Sequence, residues 1–384
     1  MKFNVPSKEL YNFVSAVSKV LSSRNALSIL NNFLFSLEGD RLTIVACDAE
    51  NTLVGTTEVM DAEGEGKFCI DAHRIADLLK ELPDQGITFS INDENLAVEI
   101  QYSNGTYNFV AINGDEYPVD LDNLSMDKDE DNPVQAEFNV PAEAFIKGIS
   151  STVFAVGNDD LRPQMQGVLC DIHENDITFV ATDTKQLVRY IDSNIRTGQA
   201  LSFVIPGKPA NVIRNIFSRE GDLKVTVYRK SALFESSKFR FMCSLLKGRY
   251  PDYNRVIPTS SSFELTVGRD EFIRALRRVG VFCSGQGLIK FRITPGTVYM
   301  RTDDAGSCGN ALESVPCEFS GDSMIIGFNY RYLVDMFSTL ESSEGIIKLS
   351  DQSRPGLIVP TDNPEGTELV MLLMPMTVSD FNME

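Results

Sequence analysis

The stretch from Phe3 to Leu10, FNVPSKEL, returns as FNVPAEAF at 138–145, a shift of 135 residues. Outward from it the same shift recurs: LTIVACD, ending at Asp48, corresponds to ITFVATD, ending at Asp183. FCIDAHRIADLL from Phe68 matches FVIPGKPANVI from Phe203, and GDEYP ending at Pro118 matches GRYPDY with its Pro251. A third, weaker copy runs through FELTVGRDEF from Phe263, TVYMRTD ending at Asp303, MIIGFNYRYLVDMF from Met324, and finally VMLLMP. Landmarks in one order at nearly one spacing mark internal repetition, which decides architecture before any single element does. Three homologous units are expected, at 1–120, 134–257 and 262–384. VDLDNLSMDKDEDNP (119–133) and IPTSSS (257–262) read as the linkers between them.

Each unit shows the same coarse order. A strand leads into an amphipathic helix (7–24, 141–153, 268–279), alternating strands follow, and a second strand and helix (71–82, 208–219, 328–338) precede more strands. Leu10, Phe13, Val14, Val17 and Leu21 recur at helical spacing and are expected to face a sheet. The fold class is α+β: three repeated domains, each of two strand-helix-strands halves.

Composition bounds the chemistry. The chain has 384 residues, a net charge of -19, two histidines, no tryptophan and seven cysteines without a CxxC pair. An odd cysteine set without paired spacing argues against a disulfide frame or a zinc site. No apolar run reaches the roughly 18 residues of a membrane span, and MKFNVPSKEL lacks the apolar core of a signal peptide, so a cytoplasmic protein is expected. Asp48, Asp183 and Asp303 could suggest a carboxylate metal site. They occupy one place in three repeats, however, which assigns them a turn role in three separate domains. With no Walker loop, GxSxG elbow or HExxH motif, the sequence offers no sign of catalysis, metal or cofactor. Within the six helical windows Lys and Arg exceed Asp and Glu by 6, against -25 elsewhere. A basic helical layer on an acidic protein is what a nucleic-acid surface requires.

The repeats, MKF at the start, RNALSIL at 24–30, ATD at 181–183, GRYPDYNRVIP at 248–258, GFNYRYL at 327–333 and LLMPM at 372–376 together resemble the bacterial replicative sliding clamps, the DNA polymerase III beta subunit family. The resemblance covers essentially the whole chain. It implies a head-to-tail homodimer whose six domains close a ring around duplex DNA, helices lining the ring and sheets outside. Twelve helices at about 10 Å spacing leave a hole of about 28 Å, enough for a duplex about 20 Å wide. The resemblance places DNA contacts at Arg24, His73, Arg74, Arg162, Gln164 and Lys208. Asp159 and Asp160 beside Arg162 depart from the family pattern. It places the dimer interface at Tyr107 and Phe109, in TYNFVAI, facing Val281 and Phe282.

The same resemblance implies a pocket for short hydrophobic motifs, formed by Met165, Thr182, Leu187, Pro251, Arg255, Val256, Asn329, Tyr332, Leu372, Met374, Pro375 and Met376. Apolar and sulfur-bearing walls suit varied anchors, and Arg255, Asn329 and Tyr332 suit a peptide backbone. Partners implied are the replicative polymerase alpha subunit, the clamp loader and other motif-bearing proteins. Thr184-Lys185-Gln186 and Thr377-Val378 depart from the family, and the SDFNME tail is expected to fold Phe381 back over the pocket. The alternative is a three-repeat peptide-binding scaffold that does not encircle DNA.

Overall fold

Each of the six helical windows yields one helix: α1 (Ser7–Val17), α2 (Ala72–Glu81), α3 (Ala142–Thr152), α4 (Gly207–Ile216), α5 (Arg269–Gly280) and α6 (Tyr330–Thr339). The structure is a computed structural model that describes the chain except for residues 23, 24, 26, 122, 123, 125–131, 305–308, 379, 380 and 382–384. Arg24 therefore lies outside the described residues.

Helix starts follow local chemistry. Extended Pro6 leads directly into α1. Asp71 and Asn329 cap α2 and α6, accepting from Arg74 N at 2.8 Å and Arg331 N at 2.9 Å. Leu10, Phe13, Val14 and Val17 are buried as expected. The helix ends sooner than the spacing suggests, because a tight turn over Ser18–Val20 takes over after Val17. The Ser18 hydroxyl there donates back to Ser15 O at 2.8 Å.

The chain divides into two compact units, Met1–Ile146 with Lys208–Leu245, and Lys147–Gly207 with Leu246–Glu384. The first unit holds a five-stranded sheet, in the order Met60–Glu63, Lys2–Pro6, Gly86–Ile91, Ala97–Tyr102, Gly105–Val110. It also holds a nine-stranded sheet, in the order Ile112–Asn113, Gly66–Asp71, Asn32–Glu38, Arg41–Cys47, Asn51–Glu58, Phe239–Ser244, Ser231–Glu235, Asp222–Tyr228, Val134–Pro141. The second unit holds a twelve-stranded sheet. Its order is Leu201–Pro206, Gly167–Ile172, Ile177–Thr182, Gln186–Asp192, Thr367–Leu373, Gly356–Pro360, Glu344–Leu349, Phe263–Gly268, Gly309–Phe319, Thr297–Asp304, Leu288–Thr294, Met324–Asn329.

One junction occurs twice. Asn51–Glu58 of the first repeat pairs with Phe239–Ser244 of the second, and Gln186–Asp192 of the second with Thr367–Leu373 of the third, both antiparallel. The corresponding third-repeat strand, Gly309–Phe319, pairs along 309–316 only with Thr297–Asp304. The corresponding first-repeat strand, Gly105–Val110, ends its sheet. Each therefore keeps one unpaired edge among the described residues.

Cores are built from aromatics on the inward positions; Phe3 and Phe89, both fully buried, stack at 4.9 Å across neighbouring strands. The stretch expected to be a free linker begins as part of a core. Val119 and Leu124 are buried with Leu30, Leu34, Val45 and Met242, and Leu121 packs against them. Arg240 Nη1 donates to Leu121 O at 3.1 Å.

Asp48 serves a turn and an ion pair, whereas Asp303 lies in the strand Thr297–Asp304 and makes ion pairs. Asp48 Oδ1 accepts from Glu50 N (2.9 Å), Asn51 N (2.8 Å) and Asn51 Nδ2 (2.9 Å), while Oδ2 meets Lys208 Nζ at 2.9 Å. Asp303 meets Arg301 Nε at 2.6 Å and Lys290 Nζ at 3.5 Å. Removing the buried Asp48 carboxylate strands two backbone donors, so Asp48→Ala should cost about 2–4 kcal/mol. Asp48→Asn keeps the turn acceptor and loses only a half-exposed ion pair, so about 1 kcal/mol or less is expected. Urea denaturation of the two variants checks the ranking.

Candidate protein-binding pocket and nucleic-acid interface

In the second unit, three separate chain segments are tied together around Asp183. Its Oδ1 accepts from Lys185 N and Gln186 N, each at 2.9 Å, and its Oδ2 from Gln186 Nε2 at 3.2 Å. This closes a turn in which Thr184 sits at φ +78°, a left-handed conformation unusual for a β-branched residue. Thr182 supports it, donating its hydroxyl to Gln186 O at 2.7 Å and accepting from Thr184 N at 3.2 Å. Lys185 O then accepts from Met374 N at 2.8 Å, and the Tyr332 hydroxyl in the first turn of α6 donates to the Asp183 carboxylate.

Pro375 explains what happens next. It has no N–H, so the ladder of Thr367–Leu373 stops. The chain hands over to another strand, Met376 N donating to Gly327 O at 2.8 Å. Gly327 permits this approach: a Cβ there would lie 2.6 Å from Val378 Cγ1 and 2.8 Å from Met376 O. Met374-Pro375-Met376 thus spans from the 183–186 turn to the strand Met324–Asn329.

Beside this span lies a cavity of about 750 Å³, lined by Lys185, Gly285, Gln286, Leu288, Asn329, Arg331, Tyr332, Met374, Pro375, Met376 and Thr377. Five of the residues expected there, Asn329, Tyr332, Met374, Pro375 and Met376, are in its wall. Leu187 and Leu372 are cross-strand partners buried in a core with Leu169, Val180 and Tyr250, which sets the framework beneath the strand end. Thr182 is buried in the turn; Met165 and Pro251 are half-buried; Arg255, paired with Asp252 at 2.8 Å, and Val256 are exposed. Gly285, Gln286, Leu288 and Arg331 were not expected in the wall, and Lys185 and Thr377 enter it from the two stretches noted beside the pocket, Thr184-Lys185-Gln186 and Thr377-Val378. Lys185 and Arg331 stand in the quoted motifs, but only the paired register brings them to one cavity. Phe381 is buried, and it is not among the residues lining this cavity.

The other expected positions are surface groups. Tyr107 and Phe109 lie on the edge strand Gly105–Val110, with Tyr107 37% exposed and stacked on Tyr102 at 5.5 Å. Val281 and Phe282, just past α5, are 79% and 45% exposed. His73 and Arg74 are exposed in the first turn of α2. Lys208 is less free than its sequence position suggests, since its ammonium is held by Asp48 and by Val20 O at 2.7 Å. Arg162 is exposed and Gln164 half-buried in a short loop. The loop uses its acids internally: Asp159 Oδ1 accepts from Leu161 N at 3.0 Å, and Asp160 Oδ1 from Gln166 Nε2 at 3.0 Å. No group of three or more His, Cys, Asp or Glu placed to hold a metal ion occurs among the described residues.

Residues 1–122, 139–252 and 254–376 match, respectively, the N-terminal, central and C-terminal domains of the DNA polymerase III beta subunit family. The beta sliding clamp of Pseudomonas aeruginosa is 25% identical over 376 residues, 97% of this chain and 99% of that protein. That of Bacillus subtilis is 24% identical over 388 residues, covering 98% and 99%. The crystal structure of a Pseudomonas aeruginosa sliding clamp bound to griselimycin is similar with a TM-score of 0.86 at 23% identity, over 98% of this chain and all of that one. The Thermotoga maritima beta subunit gives a TM-score of 0.85 at 22% identity over the same shares.

The Tyr332 phenol is pushed up to about 12 by burial, then by the charge and hydrogen bond of Asp183. A raised phenol stabilises the fold fully below its unfolded value near 10, and that contribution is lost as pH rises toward 12. Tyr332→Phe should remove this share of the alkaline loss of stability. At neutral pH, where the phenol is un-ionised, losing the hydroxyl should change stability by about 1 kcal/mol or less. Denaturant midpoints for both proteins between pH 8 and 12 provide the measurement.

Proposed function

This chain belongs to the DNA polymerase III beta subunit family, the bacterial beta sliding clamps, and from that premise we propose that two copies close head to tail into a ring around duplex DNA. It is a processivity factor, a non-catalytic subunit that keeps a polymerase on its template. The observation that carries the ring is the pair of unpaired edges. A junction made twice inside the chain leaves the edge of Gly105–Val110 and that of 309–316 as the third pair of the same kind. Edges left open invite pairing with another chain. A head-to-tail contact that closes on itself gives a ring, where one that does not gives a fibre. In this reading Tyr107 and Phe109 of one copy meet the region of Val281 and Phe282 of the other.

Retention is then topological. With a net charge of -19 the protein has little general attraction for DNA. A closed ring needs only weak, sequence-independent phosphate contacts, for which we propose Arg24, His73, Arg74, Arg162 and Gln164. Lys208, with Asp48 already on its ammonium, would act more through its field than as a direct ligand. The polymerase alpha subunit, the clamp loader and other proteins would dock short hydrophobic motifs at the pocket walled by Met374, Pro375 and Met376. We take the domains as 1–120, 134–257 and 262–384, and the place of work as the cytoplasm; no described helix is long and apolar enough to cross a membrane.

Replacing Val281 and Phe282 together by Asp should convert the dimer into monomer in analytical sedimentation; an unchanged mass refutes the assigned interface. The full protein, loaded by a clamp loader onto nicked circular DNA, should be retained on the circle and lost once the circle is cut. Equal retention on circle and line would favour the scaffold reading.

A further inference from the structure

We propose that Arg274 of one copy pairs with Glu81 and Asp84 of the other at each joint of the ring, and that this contact makes closure selective for a second copy of this chain. The inference rests on the head-to-tail reading and adds what selects the partner on the helical side of the joint. The strand edges bring no complementary charge. Gly105–Val110 has no charged residue, and the one charged residue of 309–316, Glu313, is already bonded to Arg278 of its own chain, with Arg278 Nε donating at 3.0 Å. Neutral edges offer backbone hydrogen bonds to any strand, so selection has to come from elsewhere.

The repeats locate the missing charges. In each repeat the first helix opens with a backbone N–H that donates to a carbonyl beyond the second helix: Ser7 N to Gln85 O at 2.8 Å, Ala142 N to Gly221 O at 2.9 Å and Arg269 N to Ser343 O at 2.9 Å. Asn12, Lys147 and Arg274, the sixth residues of α1, α3 and α5, are therefore equivalent. So are Pro83, Arg219 and Glu341, each two residues before the accepting carbonyl. At the junction of the second and third repeats these positions carry an ion pair, Lys147 with Glu341. At the junction of the first and second they carry Asn12 and Arg219, and a cavity of about 570 Å³, with Asn12, Ala16, Asn215 and Ile216 in its wall, stays open. The third junction of this kind lies between copies. It sets Arg274 against position 83 of the other copy, which Glu81 and Asp84 flank. Arg274, Glu81 and Asp84 are exposed, and none of them is in an ion pair among the described residues. The other exposed arginines at this end of α5 are engaged, Arg278 by Glu313 and Arg277 by the charge of Asp335 on α6. One guanidinium between two carboxylates can give each a charge-assisted hydrogen bond, and closing the joint draws the group partly out of water, where such bonds are strongest.

The test uses the full-length protein labelled with either of two dyes, the dimer dissociation constant being read by energy transfer on dilution. At low salt Arg274→Glu, and separately Glu81→Arg with Asp84→Arg, should each raise that constant about a hundredfold, because like charges then meet at both joints of the ring. Mixed together, the two variants should form a heterodimer within about threefold of the wild-type affinity, since one joint is then unaltered and the other has its pair reversed. That recovery distinguishes a lost pair from a misfolded variant. The losses should shrink as KCl rises. A wild-type dimer whose constant Arg274→Glu leaves unchanged would overturn the pair and leave the ring standing. A mixture as weak as each variant alone would do the same. So would an unaltered Arg274→Glu dimer that is held less well on nicked circular DNA, since the arginine would then serve phosphate. A wild type that stays monomeric at every concentration would overturn both the pair and the ring.

Discussion

A strand at the edge of a sheet presents a row of backbone donors and acceptors that need a partner. Two such edges are covered from within this chain by the last strand of the following repeat: Phe239–Ser244 on Asn51–Glu58, and Thr367–Leu373 on Gln186–Asp192. Everything distinctive about the second unit depends on the second pairing. Because Leu187 faces Leu372 and both enter one core, the register is fixed; a slip of one residue would turn that side chain outward. With the register fixed, Met374 arrives beside Lys185.

The terminal segment inherits its position from that arrival. Pro375 ends one ladder and Met376 joins another at Gly327, so a few residues are held at both ends by backbone hydrogen bonds. Methionine side chains on such a span can adapt to varied apolar groups while the backbone stays in place. Rigidity and adaptability are thus divided between main chain and side chain, a division suited to a surface that must accept more than one partner. Asp183 is central in the same sense, since its carboxylate organises a strained turn and its charge acts on the Tyr332 phenol of a different repeat.

How far this could be read from sequence differs by level. The repeats, the helices and the turn role of Asp48 follow from periodicity and spacing, because each depends on residues close together or copied at a fixed shift. The extent of α1 did not, because Ser18 bonding back to Ser15 decides where it tightens. The start of the linker packs in a way its acidic composition does not announce, because its few apolar residues, Val119, Leu121 and Leu124, find a core formed by distant strands. At the pocket, Asn329, Tyr332 and Met374–Met376 could be expected from their motifs, whereas Lys185 meets them because Gln186–Asp192 pairs with the distant strand Thr367–Leu373. Lys208 shows the converse: a basic residue at a suggestive position, already engaged by Asp48.

Charge gives these local facts a common direction. A strongly acidic chain repels both DNA and acidic partners at a distance, so attraction must come from places where basic groups are collected and screening is short-ranged. In the proposed ring, enclosure would remove the need for such a place toward DNA, because a closed ring holds its template without tight contacts. The pocket has no enclosure to rely on. A peptide must be caught by its own affinity, and the apolar wall alone would accept many sequences. Beside that wall, Lys185 and Arg331 are the charged residues among the described ones lining the cavity.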